Sequence, residues 1–315
     1  QLNGAVTYNA GAVGFNNGTT TISASLDLNG ALRGFNINDS DQVAQDVVIS
    51  GVIQNSTGTA GLTKNNAGTL VLSAANTYNG TTTINAGTLA LGVNGTIANS
   101  PNIVVGDATS SGAILDVSAK TGGFTIGAAQ TLMGIGTVDA NNGTNKYTVT
   151  IEGTHAAGNS IGKQTIDGNL SYAADSIFAW ELGSNVDNNN NVRGTGFDAV
   201  DISGDLAINE SSGSGAVFKI MLGTDFDGSG SFWNDSHSWD VFNVAGASST
   251  VFNTFQLFNS SNPASPVTNY STYGTFAYNF GSGTGTLSWS AVPEPSNALV
   301  GLLISAGLLR RRRGC

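Results

Sequence analysis

The chain has 315 residues, of which 40% are apolar and only 10% charged, with 43 glycines and 5 prolines. That is too apolar and too patterned for disorder, and too rich in Gly and too poor in Lys and Glu for helices. Setting Glu294 and Arg310–Arg313 aside from the 21 acidic and 11 basic residues leaves 20 against 7, a body near −13. Such a balance excludes the basic face that nucleic acid needs.

The length admits one domain or two. Residue 1 is Gln, and Gln1–Gly30 holds neither a basic n-region nor an apolar h-region. The expectation is a mature or truncated chain whose export signal, with further coils, lies upstream. Leu2, Val6, Tyr8 and Phe15, scattered among Gly and Asn, already read as strands. Thr20–Leu28, Leu32–Ile37 and Val47–Ile53 follow as strand candidates, with turns at Asn29-Gly30, Asn38–Asp41 and Asn55-Ser56.

Between Gly61 and Gly92 a phrase occurs twice: Ala67-Gly68-Thr69-Leu70-Val71-Leu72 returns as Ala86-Gly87-Thr88-Leu89-Ala90-Leu91, shifted by 19 residues. Leu70 and Leu72, then Leu89 and Leu91, alternate with the strand period of two. Tyr78-Asn79-Gly80 makes a turn before a third run, Thr82–Asn85. A repeat near 20 residues, with short strands and Asn-Gly corners, predicts stacked coils of a parallel β-helix, each covering the apolar face of the last. The stretch GLTKNNAGTLVLSAANTYNGTTTINAGTLALG resembles the autotransporter-associated β-strand repeat at nearly every position. The resemblance implies a passenger-type parallel β-helix on a bacterial surface. Asn66 and Ala74 stand where the family carries a small residue or glycine, so two corners are expected to be tight.

Strand candidates continue at Asn102–Val105, Ala113–Val117, Phe124–Ile126, Leu132–Val138 and Lys146–Ile151, with Asn141-Asn142-Gly143 as a turn. Helical periodicity is absent. The repeat favours a solenoid over residues 1–160, with a β-sandwich as the other all-β reading. From about 160 aromatic residues become frequent, and all four tryptophans lie there. Strand candidates are Gln164–Leu170, Ser176–Leu182, Ala199–Ile202, Asp205–Ile208, Ala216–Leu222 and Trp239–Val244, with Asp187–Asn191 as a surface loop. Gly196–Ile208 resembles the terminal region of surface proteins of the same repeat family. Residues 161–290 are therefore expected to continue or cap the solenoid, the aromatics serving as packing or as a sugar-stacking platform. Gly281–Gly285 reads as a flexible spacer before a last strand, Thr286–Ser290.

The tail, 291–315, has three parts: Val292-Pro293-Glu294-Pro295-Ser296, an apolar run Ala298–Leu309, and Arg310, Arg311, Arg312 and Arg313. Twelve apolar residues make a helix of about 18 Å, short for a bilayer core of about 30 Å, while the arginines favour the cytoplasmic side. The tail resembles the PEP-CTERM sorting signal. That resemblance implies processing by an exosortase, transient anchoring in the inner membrane through 298–309, and loss of Cys315, the one cysteine. Pro293, Glu294, Pro295 and the four arginines are the site residues it implies.

Catalytic patterns are missing. Asp198 and Asp201 are expected on opposite sides of a strand, and Gly204 breaks the path from Asp201 to Asp205. Lys64, Lys120, Lys146, Lys163, Lys219, Arg33 and Arg193 show no clustering with acids, and His155 and His237 read as surface residues. Asp225 and Asp227, in Asp225–Gly230, are calcium candidates, but a third acidic ligand and a closing Glu are lacking, so no cofactor is expected. Triplets such as Asn79-Gly80-Thr81 and Asn94-Gly95-Thr96 read as turns rather than glycosylation sites. The residues after Gly92 are not expected to form a membrane barrel. The expectation is a non-enzymatic surface or matrix protein of a Gram-negative bacterium, an adhesin or spacer associated with exopolysaccharide or outer-surface glycans. The alternative is a carbohydrate-binding or polysaccharide-degrading β-helix.

Overall fold

The computed structural model of the chain describes residues 1–292 apart from 11–17, 108, 109, 111, 159, 210–214, 229 and 250. Phe15, the Pro293–Pro295 motif, the apolar run, the four arginines and Cys315 therefore lie outside the described residues.

The described chain winds into stacked coils. The first two are β1 (Val6–Tyr8), β2 (Thr20–Ile22), β3 (Leu26–Asp27) and β4 (Arg33–Ile37), β5 (Val47–Ile49), β6 (Ile53–Gln54). The repeat supplies two shorter coils, β7 (Leu62–Asn65) with β8 (Thr69–Leu72) and β9 (Thr82–Ile84) with β10 (Thr88–Leu91). Three-strand coils resume with β11 (Asn102–Val105), β12 (Ile114–Asp116), β13 (Phe124–Ile126) and β14 (Thr131–Gly134), β15 (Thr137–Asp139), β16 (Thr148–Ile151). Next come β17 (Thr154–Ala157), β18 (Lys163–Asp167), β19 (Asn169–Tyr172) and β20 (Ile177–Leu182), β21 (Ala199–Ile202), β22 (Leu206–Ile208). The stack finishes with β23 (Val217–Leu222), β24 (His237–Val244), β25 (Thr254–Asn259), β26 (Asn262–Pro266), β27 (Gly274–Gly281) and β28 (Thr284–Ala291). Equivalent strands of successive coils pair in parallel, giving two sheets of 11 strands and smaller sheets of 4 and 2. This is the parallel β-solenoid, and it crosses residue 160 without a break through β14–β17–β20 and β15–β18–β21.

The repeat does what its period predicts. Leu70 pairs with Leu89 and Leu72 with Leu91, and all four are buried in the lumen. The same row runs on through Leu115, Val138, Ile166 and Ile202, so each coil covers the apolar face of its neighbour. Asn66 takes φ 66°, the left-handed corner that Asn tolerates where most residues do not. In the two repeat coils a third strand is missing. Asn76 takes its place, accepting from Ile53 N at 2.8 Å and donating to Thr96 O at 3.1 Å.

Several expected strands are longer than the real ones. Leu132–Val138 divides into β14 and β15, because Gly134 (φ 111°) turns a corner between them. Thr20–Leu28, Val47–Ile53 and Gln164–Leu170 divide likewise, since a solenoid spends residues on corners that period-two patterning does not reveal. Gly281–Gly285 is no flexible spacer. Ser282 and Gly283, with φ 52° and 80°, form the two-residue turn of the β27–β28 hairpin. β28 then pairs antiparallel with β24, and β27 on its other side ends the second large ladder, as β26 does for the first. The aromatics fill this end. Trp180, Trp233, Trp239 and Trp289 are all buried, with Trp180 and Trp239 centroids 5.7 Å apart and Trp233 and Trp289 5.4 Å apart. They are packing, not an exposed sugar platform. Among the described residues no helix is long and apolar enough to cross a membrane.

Candidate functional site

Between β20 and β21 the chain leaves the coil in a long loop, Gly183–Gly196, closed by Gly183 N donating to Gly196 O at 2.9 Å and Asp198 N to Glu181 O at 2.9 Å. The expected surface loop at Asp187–Asn191 is a 3₁₀ turn that Asp187 caps by accepting from Asn189 N at 2.9 Å. Asp187 is itself buried against His237, whose Nδ1 lies 2.7 Å away, and whose ring stacks on Phe232 at 3.7 Å. Burial alone would raise the Asp187 carboxyl. The His237 and Asn189 contacts instead hold it below the ordinary range.

Arg193 fastens the far side of the loop. Its Nε donates to Asp240 O at 2.7 Å, and its two terminal nitrogens reach Asp201 Oδ1 at 2.7 Å and Val200 O at 3.0 Å. Lys163 Nζ stands 2.8 Å from the other Asp201 oxygen. Lys163 and Arg193 are thus clustered with an acid, contrary to the sequence expectation. They come from separate coils, and the parallel register of β18 and β21 puts Lys163 two positions along from the Thr165–Asp201 pair. Against the effect of burial, these two cations hold the Asp201 carboxyl below its usual range.

Two clefts flank the loop and share Ile161 as a wall. One, of about 420 Å³, runs past Ile135, Thr137, Lys163 and Gly194; the other, of about 370 Å³, is bounded by Ser160, Glu181, Leu182, Met221 and Leu222. Asp198, at 1% exposure, is bonded to one residue from the lining of each. Its two oxygens accept from Gly162 N and Glu181 N, each at 2.8 Å. Burial nevertheless pushes this carboxyl up to about 9, against the pull of both amides. Glu181 is half-buried, which raises its carboxyl too. Asp198 is sealed from solvent, so the two acids cannot both touch a substrate, and no acid–base pair is assembled. Asp205 is likewise engaged, accepting from Ala247 N at 2.8 Å.

The remaining expected positions are dispersed. His155 and His237 are not surface residues: His155 is fully buried in the lumen and His237 is wedged between Asp187 and Phe232. The inward parity of β17 decides the first, since His155 pairs with Leu132 on one side and Phe178 on the other. Asp225 spends an oxygen on the β25–β26 turn, accepting from Ser261 N at 2.9 Å and Ser260 Oγ at 3.1 Å. Asp227 closes its own turn, with Gly230 N donating to its carbonyl at 2.9 Å. Among the described residues no group of three or more His, Cys, Asp or Glu could hold a metal ion.

Sequence reasoning missed two features. Asp116, Asp139 and Asp167 stack in register on one outer face. The first two cap corners, with Ser118 N on Asp116 at 2.8 Å and Asn141 N on Asp139 at 2.9 Å. Burial and then its two acidic neighbours raise the Asp139 carboxyl. Glu181 is the other; its one sequence signal is that it is the acid inside Ile177–Leu182, at an outward position beside Trp180.

The family model described as the passenger-associated-transport-repeat matches residues 62–91, the two short coils of the stack. The stretch Gly61–Gly92 is therefore similar to that repeat, as its motif implied. No curated protein matches the chain.

Proposed function

We propose that this chain is a non-enzymatic, exported surface protein, a passenger-like β-solenoid that serves as a spacer or adhesin in association with exopolysaccharide. The observation that carries the reading is the passenger-type repeat at 62–91, continued on both sides by parallel coils. Uncharged rows along the first sheet support it: Thr63 beside Thr83, Thr131 beside Thr154, and an amide ladder in which Asn85 donates to Asn65 and Asn65 to Asn36, each at 2.8 Å. Rows of this kind present hydroxyls and amides to solvent without the clustered acids that glycoside chemistry needs.

The tail carries the finer part of the proposal. Pro293, Glu294 and Pro295, the apolar run and Arg310–Arg313 act as a sorting signal read by an exosortase, with the inner membrane as a transient partner. What supports this is the tripartite sequence pattern itself. A carbohydrate-binding role for the same solenoid is favoured by the cleft at Glu181.

Incubation of the protein with common polysaccharides tests the non-enzymatic reading. No reducing or unsaturated sugar ends are expected. Their release, abolished by Asp201→Ala or Asp227→Ala, would overturn it.

A further inference from the structure

We infer that the cleft between Ile161 and Met221 is a subsite for a protonated amino sugar, with Glu181 receiving its ammonium group. The cleft spans three coils, taking Ser160 and Ile161 from one, Glu181 and Leu182 from the next, and Met221 and Leu222 from the third. At about 370 Å³ it lies within the range of small-ligand sites, and most of its walls are apolar. Its one ionisable side chain is Glu181. Among the described residues no hydrogen bond or ion pair engages that carboxylate, and half-burial already disfavours its charge. The neighbouring cations are committed elsewhere: Lys163 and Arg193 share Asp201, and Lys219 Nζ sits over the Phe258 ring, 4.3 Å from its centroid. A half-desolvated carboxylate without a partner gains most from a ligand that brings the missing cation.

The chemistry of the cleft selects the kind of cation. A metal ion needs several hard oxygen ligands, and no group of three metal-binding side chains exists among the described residues. An organic ammonium on a body with C–H surface suits one carboxylate and the side chains of Ile161 and Met221. The corner glycines let this wall pack closely: a Cβ on Gly183 would come within 2.1 Å of Ile161 Cδ1, and one on Gly223 within 2.3 Å of Gly183 O. A sugar ring laid across the coils meets the Ser160 hydroxyl as well as Glu181, whereas a lysine side chain brings no hydroxyl partner for Ser160. Asp198 acts as a positioning residue, because its oxygens hold Gly162 N and Glu181 N and so fix the two walls relative to one another. The choice of a glycan rests on the proposed association with surface polysaccharide, whereas the preference for an ammonium rests on Glu181.

Saturation-transfer NMR on the full chain, with glucosamine, N-acetylglucosamine, glucose and lysine methyl ester as probes, tests the inference. Glucosamine should bind with a Kd on the order of 1–10 mM, as one modest subsite allows. Glu181→Gln should weaken it at least tenfold without moving the urea midpoint, and the acetylated and neutral sugars should bind no better than the variant binds glucosamine. Equal affinity in Glu181→Gln, equal affinity for N-acetylglucosamine, absence of glucosamine binding, or preference for lysine methyl ester would each overturn it. Co-fractionation of the protein with exopolysaccharide is read separately. Its failure alongside intact glucosamine binding would remove the proposed function and leave the ammonium site standing.

Discussion

In the lumen, His155 shows how a single polar residue is tolerated in an apolar stack. Gln164 Nε2 donates to Gly134 O at 3.0 Å, which turns its Oε1 toward His155 Nε2 at 2.7 Å. That nitrogen must carry the proton, so Nδ1 accepts from the Tyr172 hydroxyl at 2.6 Å and the ring is neutral. Burial lowers its pKa to about 4, with Gln164 opposing, against 6.5 for a free imidazole. Between those values the unfolded chain binds more protons than the folded one. The stabilising share is complete above pH 6.5 and is lost as pH falls toward 4. Urea unfolding should therefore show His155→Gln losing about 2–3 kcal/mol less stability than the parent between pH 7 and 4.5. Equal losses would refute the neutral-ring account. Lys64 is the cationic counterpart, pointing inward with Nζ donating to the carbonyls of Asn65 at 3.0 Å, Asn66 at 2.7 Å and Ala86 at 3.0 Å. Burial brings it down to about 8, although Asp46 and Asp39 pull upward. Here the unfolded chain keeps its proton up to the ordinary value of 10.5, so stability should rise with pH from about 8 to 10.5. Lys64→Met should abolish that rise and cost roughly 2–4 kcal/mol at neutral pH, because buried carbonyls lose their donors. Denaturation midpoints across that range check both points.

Among the elements, β8 and β10 carry the repeat and set the spacing of their neighbours. Leu72 is wholly buried between Ile49 and Leu91, with aliphatic side chains on both sides along the ladder. Leu72→Asp would place a carboxylate there without a donor, and a loss of about 4 kcal/mol is expected in urea unfolding. A loss under about 1 kcal/mol would mean that the lumen admits water. The terminal elements answer a different need. A ladder that simply stopped would expose apolar rims, and β26 and β27–β28 close it by reversing direction. Little in the sequence announced β25, β26 or β27, because Thr254–Gly281 mixes Asn, Ser and Pro with its aromatics and shows no clean alternation. The pairing partners that anchor it lie on β23 and β28, and those contacts decide its structure.

For the molecule as a whole, the tail bears on where the protein ends up. The sorting proposal rests on the sequence pattern of Pro293, Glu294 and Pro295 ahead of an apolar run and four arginines. The apolar run of Ala298–Leu309 is short for a permanent span. Intact-mass analysis of protein released at the surface of its native host is expected to give a chain ending near Val292–Ser296. A mass that retains Arg310–Arg313 would mean a lasting anchor, and the sorting proposal would fall.

The amino-acid sequence by itself determined the repeating unit. Alternation placed Leu70, Leu72, Leu89 and Leu91 inward, the 19-residue shift made them neighbours, and the absence of helical periodicity left stacking as the way to cover them. These are local properties, legible because parity and repeat length need no knowledge of distant residues. The tertiary structure alone decided which side chains of different coils meet. Coil length changes along the chain: equivalent positions are 20 residues apart from Leu62 to Thr82 but 40 apart from Ile177 to Val217. Period two tells whether a residue points in or out, yet the insertions set which partner it meets. Asp187 therefore finds His237, Asp201 finds Lys163 and Arg193, and Glu181 is left facing an open cleft.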